Sequence, residues 1–133
     1  MTEVPAHAAE RLRTERTIWL ATVAGDASPS VRPLWFVWEG DSILLYSQPG
    51  TAKIRHIERN PSVCLHLDPD DWGEDVVVVT GVARLAPERP PPDQGEYARK
   101  YAAGFEHLGM TPAEYAADYS VPIVVDVRRV LTY

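Results

Sequence analysis

Apolar and polar positions change period several times along the chain, and each change marks an element. Between Pro5 and Glu15, Ala8, Ala9 and Leu12 share one side while Glu10, Arg11 and Arg13 face away, the period of a short amphipathic helix. Thr17 to Val23 is β-branched and aromatic and stops at Gly25-Asp26. It is followed by Ser30 to Glu39, which carries Val31, Leu34, Trp35, Phe36, Val37 and Trp38, so the pair predicts a hairpin of two long strands. Gly40-Asp41 turns the chain again, and Ser42 to Ser47, with Ile43, Leu44, Leu45 and Tyr46, returns as the third strand of a meander.

Gln48-Pro49-Gly50 then breaks the sheet. Thr51 is placed to cap a helix of about three turns, with Ile54 and Ile57 on one face and Asn60-Pro61 ending it. In Ser62 to Asp68, Val63, Leu65 and Leu67 alternate with Cys64 and His66, as in a strand between two environments. An acidic loop, Asp68 to Asp75, leads to a long fifth strand, Asp75 to Leu85, in which Gly81 predicts a bulge or a close backbone contact. Pro87 to Pro92 stops regular structure. Asp93 to Leu108 resumes as a helix with Tyr97, Tyr101, Phe105 and Leu108 in one stripe, Thr111-Pro112-Ala113-Glu114 forms a capping box for a shorter helix, and Val121 to Leu131 closes the sheet. About six strands and three or four helices, one of them inserted mid-sheet, predict a small antiparallel barrel in an α+β fold.

The 133 residues suit a single domain spanning 1–133. A net charge of −6 argues against a surface that tracks nucleic-acid phosphates, so any anionic ligand must be held by a local basic patch. Cys64 is the sole cysteine, which excludes an intrachain disulfide and a four-cysteine zinc site. Met1 to Arg16 has no apolar leader core, and no stretch approaches the ~20 apolar residues of a membrane span. The expectation is a cytoplasmic protein.

Few residue groupings can carry chemistry. Asp68-Pro69-Asp70-Asp71-Trp72-Gly73 begins like a calcium loop, but Trp72 and Val79 stand where oxygen ligands belong, so it reads as a solvated turn. Cys64 and His66 share a strand face without a third orienting group and read as half-buried packing residues. His7, His56, His66 and His107 are scattered, giving no metal motif, and there is no Gly-x-Ser-x-Gly elbow. The aromatic stripe at Tyr97, Tyr101 and Phe105 could roof a ring cofactor but is read as core.

Ser47 to Arg55 differs, because Gly50, the Thr51 hydroxyl, Lys53 and Arg55 gather at the mouth of a helix that follows a strand. Free helix N–H groups, a hydroxyl and a cation make a small anion site, although a capped helix with a solvated lysine fits the same segment. Pro33, within Ser30-Val31-Arg32-Pro33-Leu34-Trp35, lacks a backbone donor and marks an edge strand or a place where a ligand replaces the neighbouring strand.

The order and spacing of Ile18-Trp-Leu-Ala-Thr-Val23, Pro33-Leu-Trp-Phe-Val-Trp38, Gly40-Asp41, Ala52-Lys53-Ile-Arg55, Arg59-Asn-Pro61 and Thr80-Gly-Val-Ala83 resemble the pyridoxamine 5'-phosphate oxidase-like family. The likeness is strongest to its actinobacterial branch that uses the deazaflavin coenzyme F420. The resemblance implies an FMN-binding split β-barrel with peripheral helices, and a homodimer whose cofactor lies in a groove at the interface. It further implies that Gly50, Thr51, Ala52 and Lys53 surround the cofactor phosphate. Arg32, Pro33, Leu34 and Trp35 would line the ring system, Tyr46 and Ser47 would flank it, and Trp72 with Gly73 would cover it.

The implied activity is hydride transfer between reduced coenzyme F420 and a conjugated small molecule, with no catalytic side chain assigned, since the cofactor carries the chemistry. The alternatives are an FMN-dependent oxidoreductase of the same fold and a non-catalytic carrier of a cofactor or planar ligand. The thin basic cluster and the lack of a C-terminal substrate-phosphate motif weigh against pyridoxamine phosphate oxidation.

Overall fold

Long β-branched runs separated by Gly, Pro and Asp fold here into one continuous antiparallel sheet. A computed structural model describes residues 3–133, so the first two residues of the segment read above for a leader lie outside it. The elements are α1 (Ala6–Thr14), β1 (Ile18–Val23), β2 (Pro29–Leu34), β3 (Val37–Trp38), β4 (Ser42–Ser47), α2 (Ala52–Arg59), β5 (Ser62–His66), β6 (Val77–Leu85), α3 (Gly95–Lys100), α4 (Ala102–Leu108), α5 (Pro112–Asp118) and β7 (Val121–Thr132). The strand order is β2-β1-β5-β6-β7-β4-β3. This curled seven-stranded sheet with its helices is the α+β split barrel expected.

The sequence reading needs correction between Ser30 and Glu39. That run is not one strand, and the first three strands are not a meander, because β2 and β3 lie at opposite edges of the sheet. β2 pairs with β1 from Ile18↔Leu34 to Val23↔Pro29, whereas β3 pairs with β4. The chain crosses the opening at Trp35-Phe36. There the Tyr101 hydroxyl accepts the Phe36 N–H at 2.8 Å and shares its proton between the carbonyls of Phe36 (2.9 Å) and Arg16 (2.8 Å). With both its backbone groups taken by a side chain, Phe36 leaves the ladder, and the strand ends. Pro33 sits on the edge strand β2, opposite Trp19, the kind of position in a sheet that tolerates a residue without a backbone donor.

Two hydrophobic layers meet on β4 and β7. Ile43, Leu45, Ile123 and Val125 point into the barrel with Leu20, Phe36, Leu65 and Val79, and Ile54 and Ile57 of α2 close over that core. Leu44, Tyr46 and Val124 point outward into a second cluster built from Tyr97, Tyr101, Phe105 and Tyr115. Burial on both faces explains why β4 lacks polar alternation. The tyrosine stripe is therefore core, as read, but Leu108 is exposed and the predicted helix is broken into α3 and α4 at Tyr101. α2 has two turns rather than three.

Gly81 sits at a register shift against β7. A Cβ there would lie 2.5 Å from the Asp126 carbonyl oxygen, so the strands touch at a point only glycine allows. The capping box of α5 is complete, with the Thr111 hydroxyl accepting the Glu114 N–H and the Glu114 carboxylate accepting the Thr111 N–H. Helices cover the outside of β4 and β7, while the outer face of β1, β5 and β6 is left half-open.

Candidate functional site

The turn between β4 and α2 gathers the polar groups. Gly50 has a positive φ of +73°, which lets the chain reverse after Pro49, and the Arg55 guanidinium donates to its carbonyl at 2.7 Å. Thr51 is the extended N-cap of α2, yet its side chain makes no capping bond, contrary to the reading from sequence. The first-turn N–H groups of Ala52, Lys53 and Ile54 thus have no intrahelical acceptor, no capping side chain and no acidic residue in the turn.

The Thr51 hydroxyl is engaged elsewhere. Ser47, fully buried, donates to the Gln48 carbonyl at 2.8 Å, so the Ser47–Thr51 contact at 2.9 Å is a donation from Thr51. Lys53 Nζ completes the relay by donating to Thr51 at 3.5 Å. Burial first, and then the Arg32 guanidinium across on β2, push the Lys53 ammonium below its usual range. Among the described residues no ion pair includes either cation. Lys53 and Arg32, with Arg55 held on the Gly50 carbonyl beside them, and three free N–H donors at one helix end fit a single phosphate, which would supply the missing acceptor charge.

The remaining predicted residues divide among other environments. Pro33 lies on the outer sheet face opposite Trp19, and Leu34 packs on the barrel core. The Trp35 ring turns away into the aromatic layer, stacked on Tyr101 at 4.6 Å between centroids, which leaves its backbone at the barrel opening. Tyr46 is buried with its hydroxyl donating to the Pro90 carbonyl at 2.6 Å. Trp72 is 90 % exposed beside Gly73, on a loop fixed by the Asp70 carboxylate, which accepts the N–H groups of Trp72 and Glu74. Arg32, Ser47, Gly50, Thr51, Ala52 and Lys53 thus come together within one copy, and Trp72 and Gly73 stand apart on the β5–β6 loop.

The outer face of β1, β5 and β6 presents Ala21, Val23, Cys64 and Val82 around a shallow concavity of about 480 Å³ that Arg128 borders. Burial pushes the Cys64 thiol up, away from the thiolate a nucleophile needs. Trp19 stacks parallel to His66 at 6.2 Å on this face and donates to Asp68 at 2.8 Å. Among the described residues no three His, Cys, Asp or Glu side chains group as metal ligands, and no helix is long and apolar enough to cross a membrane.

Sequence reading missed a second basic place. Lys100, on α3, donates to the Phe36 carbonyl at 2.8 Å and lies 4.0 Å from the centre of the Phe36 ring. Burial brings its pKa down to about 8, against a smaller upward pull from Glu96 and Glu15. The available signal was a lysine next to the aromatic stripe, but nothing local announced the cavity it borders.

Comparison with known proteins gives concordant results. An F420 reductase is 26% identical and superposes with a TM-score of 0.71, covering 96% of this chain and 98% of that one. HutZ, the heme storage protein from Vibrio cholerae, is 19% identical (TM-score 0.65; 96% and 93% covered), and a FAD-binding protein from Mesorhizobium loti is 20% identical (TM-score 0.65; 96% and 92% covered). A search of curated protein sequences returned no significant match. The profile described as pyridoxamine 5'-phosphate oxidase matches residues 4–132, and the chain belongs to that family.

Proposed function

We propose that the protein is an oxidoreductase that binds the deazaflavin coenzyme F420 and delivers hydride from its reduced form to a conjugated small molecule. The observation that carries this reading is the start of α2, where free N–H groups, Lys53 and Arg32 meet without a carboxylate. A loose set of cations, Lys53, Arg32 and Arg55, rather than a dense basic cluster suits F420 better than FMN, and the likeness to an F420 reductase supports the same choice. When bound, the coenzyme supplies the hydride.

The chain's own residues then position and shield. Lys53 and the helix N–H groups hold the phosphate, and the Arg32 guanidinium adds charge from the opposite edge of the split. The backbone of Pro33 to Trp35 lines the ring, and the Ser47–Thr51 pair fixes the turn that presents the donors. Two copies pack through the half-open face of β1, β5 and β6, which presents Ala21, Val23 and Val82 and continues onto β2, where Val31, opposite Ala21, is 43 % exposed. In that dimer the Trp72–Gly73 loop of one protomer covers the site of its partner.

The test is titration of the purified protein with F420 and with FMN, followed by addition of enones to the reduced complex. Tighter binding of F420 and turnover support the reading. Stoichiometric FMN with no deazaflavin binding would transfer it to a flavin oxidoreductase, and binding without turnover of any enone would leave a carrier. Sedimentation as a monomer at all concentrations would remove the proposed interface.

A further inference from the structure

A second cavity, of about 290 Å³, opens between the α1–β1 connection and α4, and its lining includes Arg16, Thr17, Trp35, Lys100, Gly104 and His107. It shares no residue with the Lys53 turn. Three of its lining side chains are bases and none is an acid, in a chain whose net charge is −6. Among the described residues Arg16 and Lys100 appear in no ion pair. The negative charges acting on Lys100 come from Glu96 and Glu15, neither of which lines the cavity, and Glu15 is already paired with Arg11.

The apolar side of the cavity is held in place. Trp35 stacks on Tyr101 at 4.6 Å and on Tyr115 at 5.4 Å, which leaves the edge of its indole toward the cavity, and Gly104 meets that edge so closely that a Cβ there would lie 2.6 Å from it. Any larger residue at 104 would displace the ring, so the glycine sets how near α4 approaches the indole. Lys100 is anchored by the Phe36 carbonyl, which uses one of its three donors and leaves two. A half-buried ammonium without a carboxylate partner, beside an aromatic surface, is complementary to an anion that carries a flat apolar body.

We propose that this cavity binds a small planar organic carboxylate, with its ring against the edge of the Trp35 indole and its carboxylate between Lys100 and Arg16. The volume suits one ring, which is below the size of a dinucleotide or a flavin. Trp35 belongs both to this cavity, through its indole, and to the ring-lining segment proposed above, through its backbone, whereas no residue of the Lys53 turn lines the cavity.

Calorimetric titration of the full chain with benzoate, benzyl alcohol and benzylamine tests the charge requirement with one ring in common. Benzoate should saturate a single site, benzyl alcohol should bind at least about tenfold more weakly, and benzylamine should not bind. Lys100→Gln, which keeps a donor for the Phe36 carbonyl, should weaken benzoate about tenfold, and Ala103→Leu, which adds bulk to the lining, should abolish binding. Where Lys100→Gln melts early, Arg16→Gln, at an exposed position, supplies the same reading.

Amide shifts on titration should centre on Gly104 and the Trp35 indole N–H. Absence of saturable benzoate binding would overturn the proposal. So would equal affinity for benzyl alcohol, or shifts centred on the α2 turn with binding lost in Lys53→Ala and intact in Lys100→Gln.

Discussion

Lys53 and Lys100 are the chain's two lysines, both are half-buried, and in both the ammonium is held below its ordinary pKa mainly by burial. Their surroundings differ in kind. Lys53 faces another cation at a helix end whose N–H groups are free, and its one acceptor is the Thr51 hydroxyl at a long 3.5 Å, so its surroundings leave room for an anion. Lys100 lies over an aromatic ring with a carbonyl oxygen as acceptor, so part of its solvation is replaced by the protein itself. A half-buried cation beside another cation and free donors marks a ligand site strongly, while one with a close carbonyl acceptor and a ring is already partly solvated by the fold.

The contrast breaks most directly at Lys53. Lys53→Ala should remove a charge-assisted contact of about 1.5–3 kcal/mol, roughly ten- to a hundredfold in cofactor affinity, while Lys100→Ala changes that affinity less than about twofold. Titration at two salt concentrations, with thermal melting as the folding control, measures both. Equal losses from the two variants would mean that the lysines serve one site.

The structural side of the Lys100 region rests on its neighbour. Tyr101→Phe strands the buried Phe36 N–H and should lower stability by about 1–3 kcal/mol, read as a shift in the denaturation midpoint without a change in slope. A loss within error would show that the chain crossing does not depend on that hydroxyl.

Protonation sharpens the comparison further. The folded-state pKa of Lys100 is about 8 against 10.5 for the unconstrained amine, so between those values the unfolded chain binds more protons, and raising pH favours the native state. Lys100→Met should therefore gain stability relative to wild type at pH 7, with the gain shrinking from pH 8 toward 10.5. The Phe36 carbonyl keeps the Tyr101 hydroxyl in that variant. A difference independent of pH would mean that Lys100 titrates as an ordinary lysine.

The smallest effect belongs to Thr51→Val, which preserves shape but cuts the relay from Lys53 through Thr51 to Ser47. Cofactor affinity should fall a few-fold, corresponding to about 0.5–1.5 kcal/mol. No loss would leave the lysine positioned by the helix alone.

What sequence revealed follows the range over which each feature is decided. The capping box at Thr111 and the contact at Gly81 are set by chemistry within a few residues, or by a glycine whose reason is local crowding, and both were legible. The gathering of Ser47, Gly50, Thr51 and Lys53 is equally local. The crossing at Trp35-Phe36 was not legible, because the hydroxyl that removes Phe36 from the ladder belongs to a residue 65 positions later. The break between α3 and α4 falls at that same tyrosine. The Lys100 cavity joins Arg16, Trp35 and His107 from three separate segments, and no periodicity reports such a meeting.

The position of β7 between β6 and β4 bears on the order in which the protein folds. β2-β1-β5-β6 and β4-β3 are two separate blocks of the sheet, and β7 is the strand that bridges them. During synthesis each block can form its own hairpins, but their union waits for residues 121–132, so the longest loop closures come last and set a slow step. Until then the Val-rich edge of β6 stays unpaired, which makes a chain halted near residue 120 prone to edge-to-edge association.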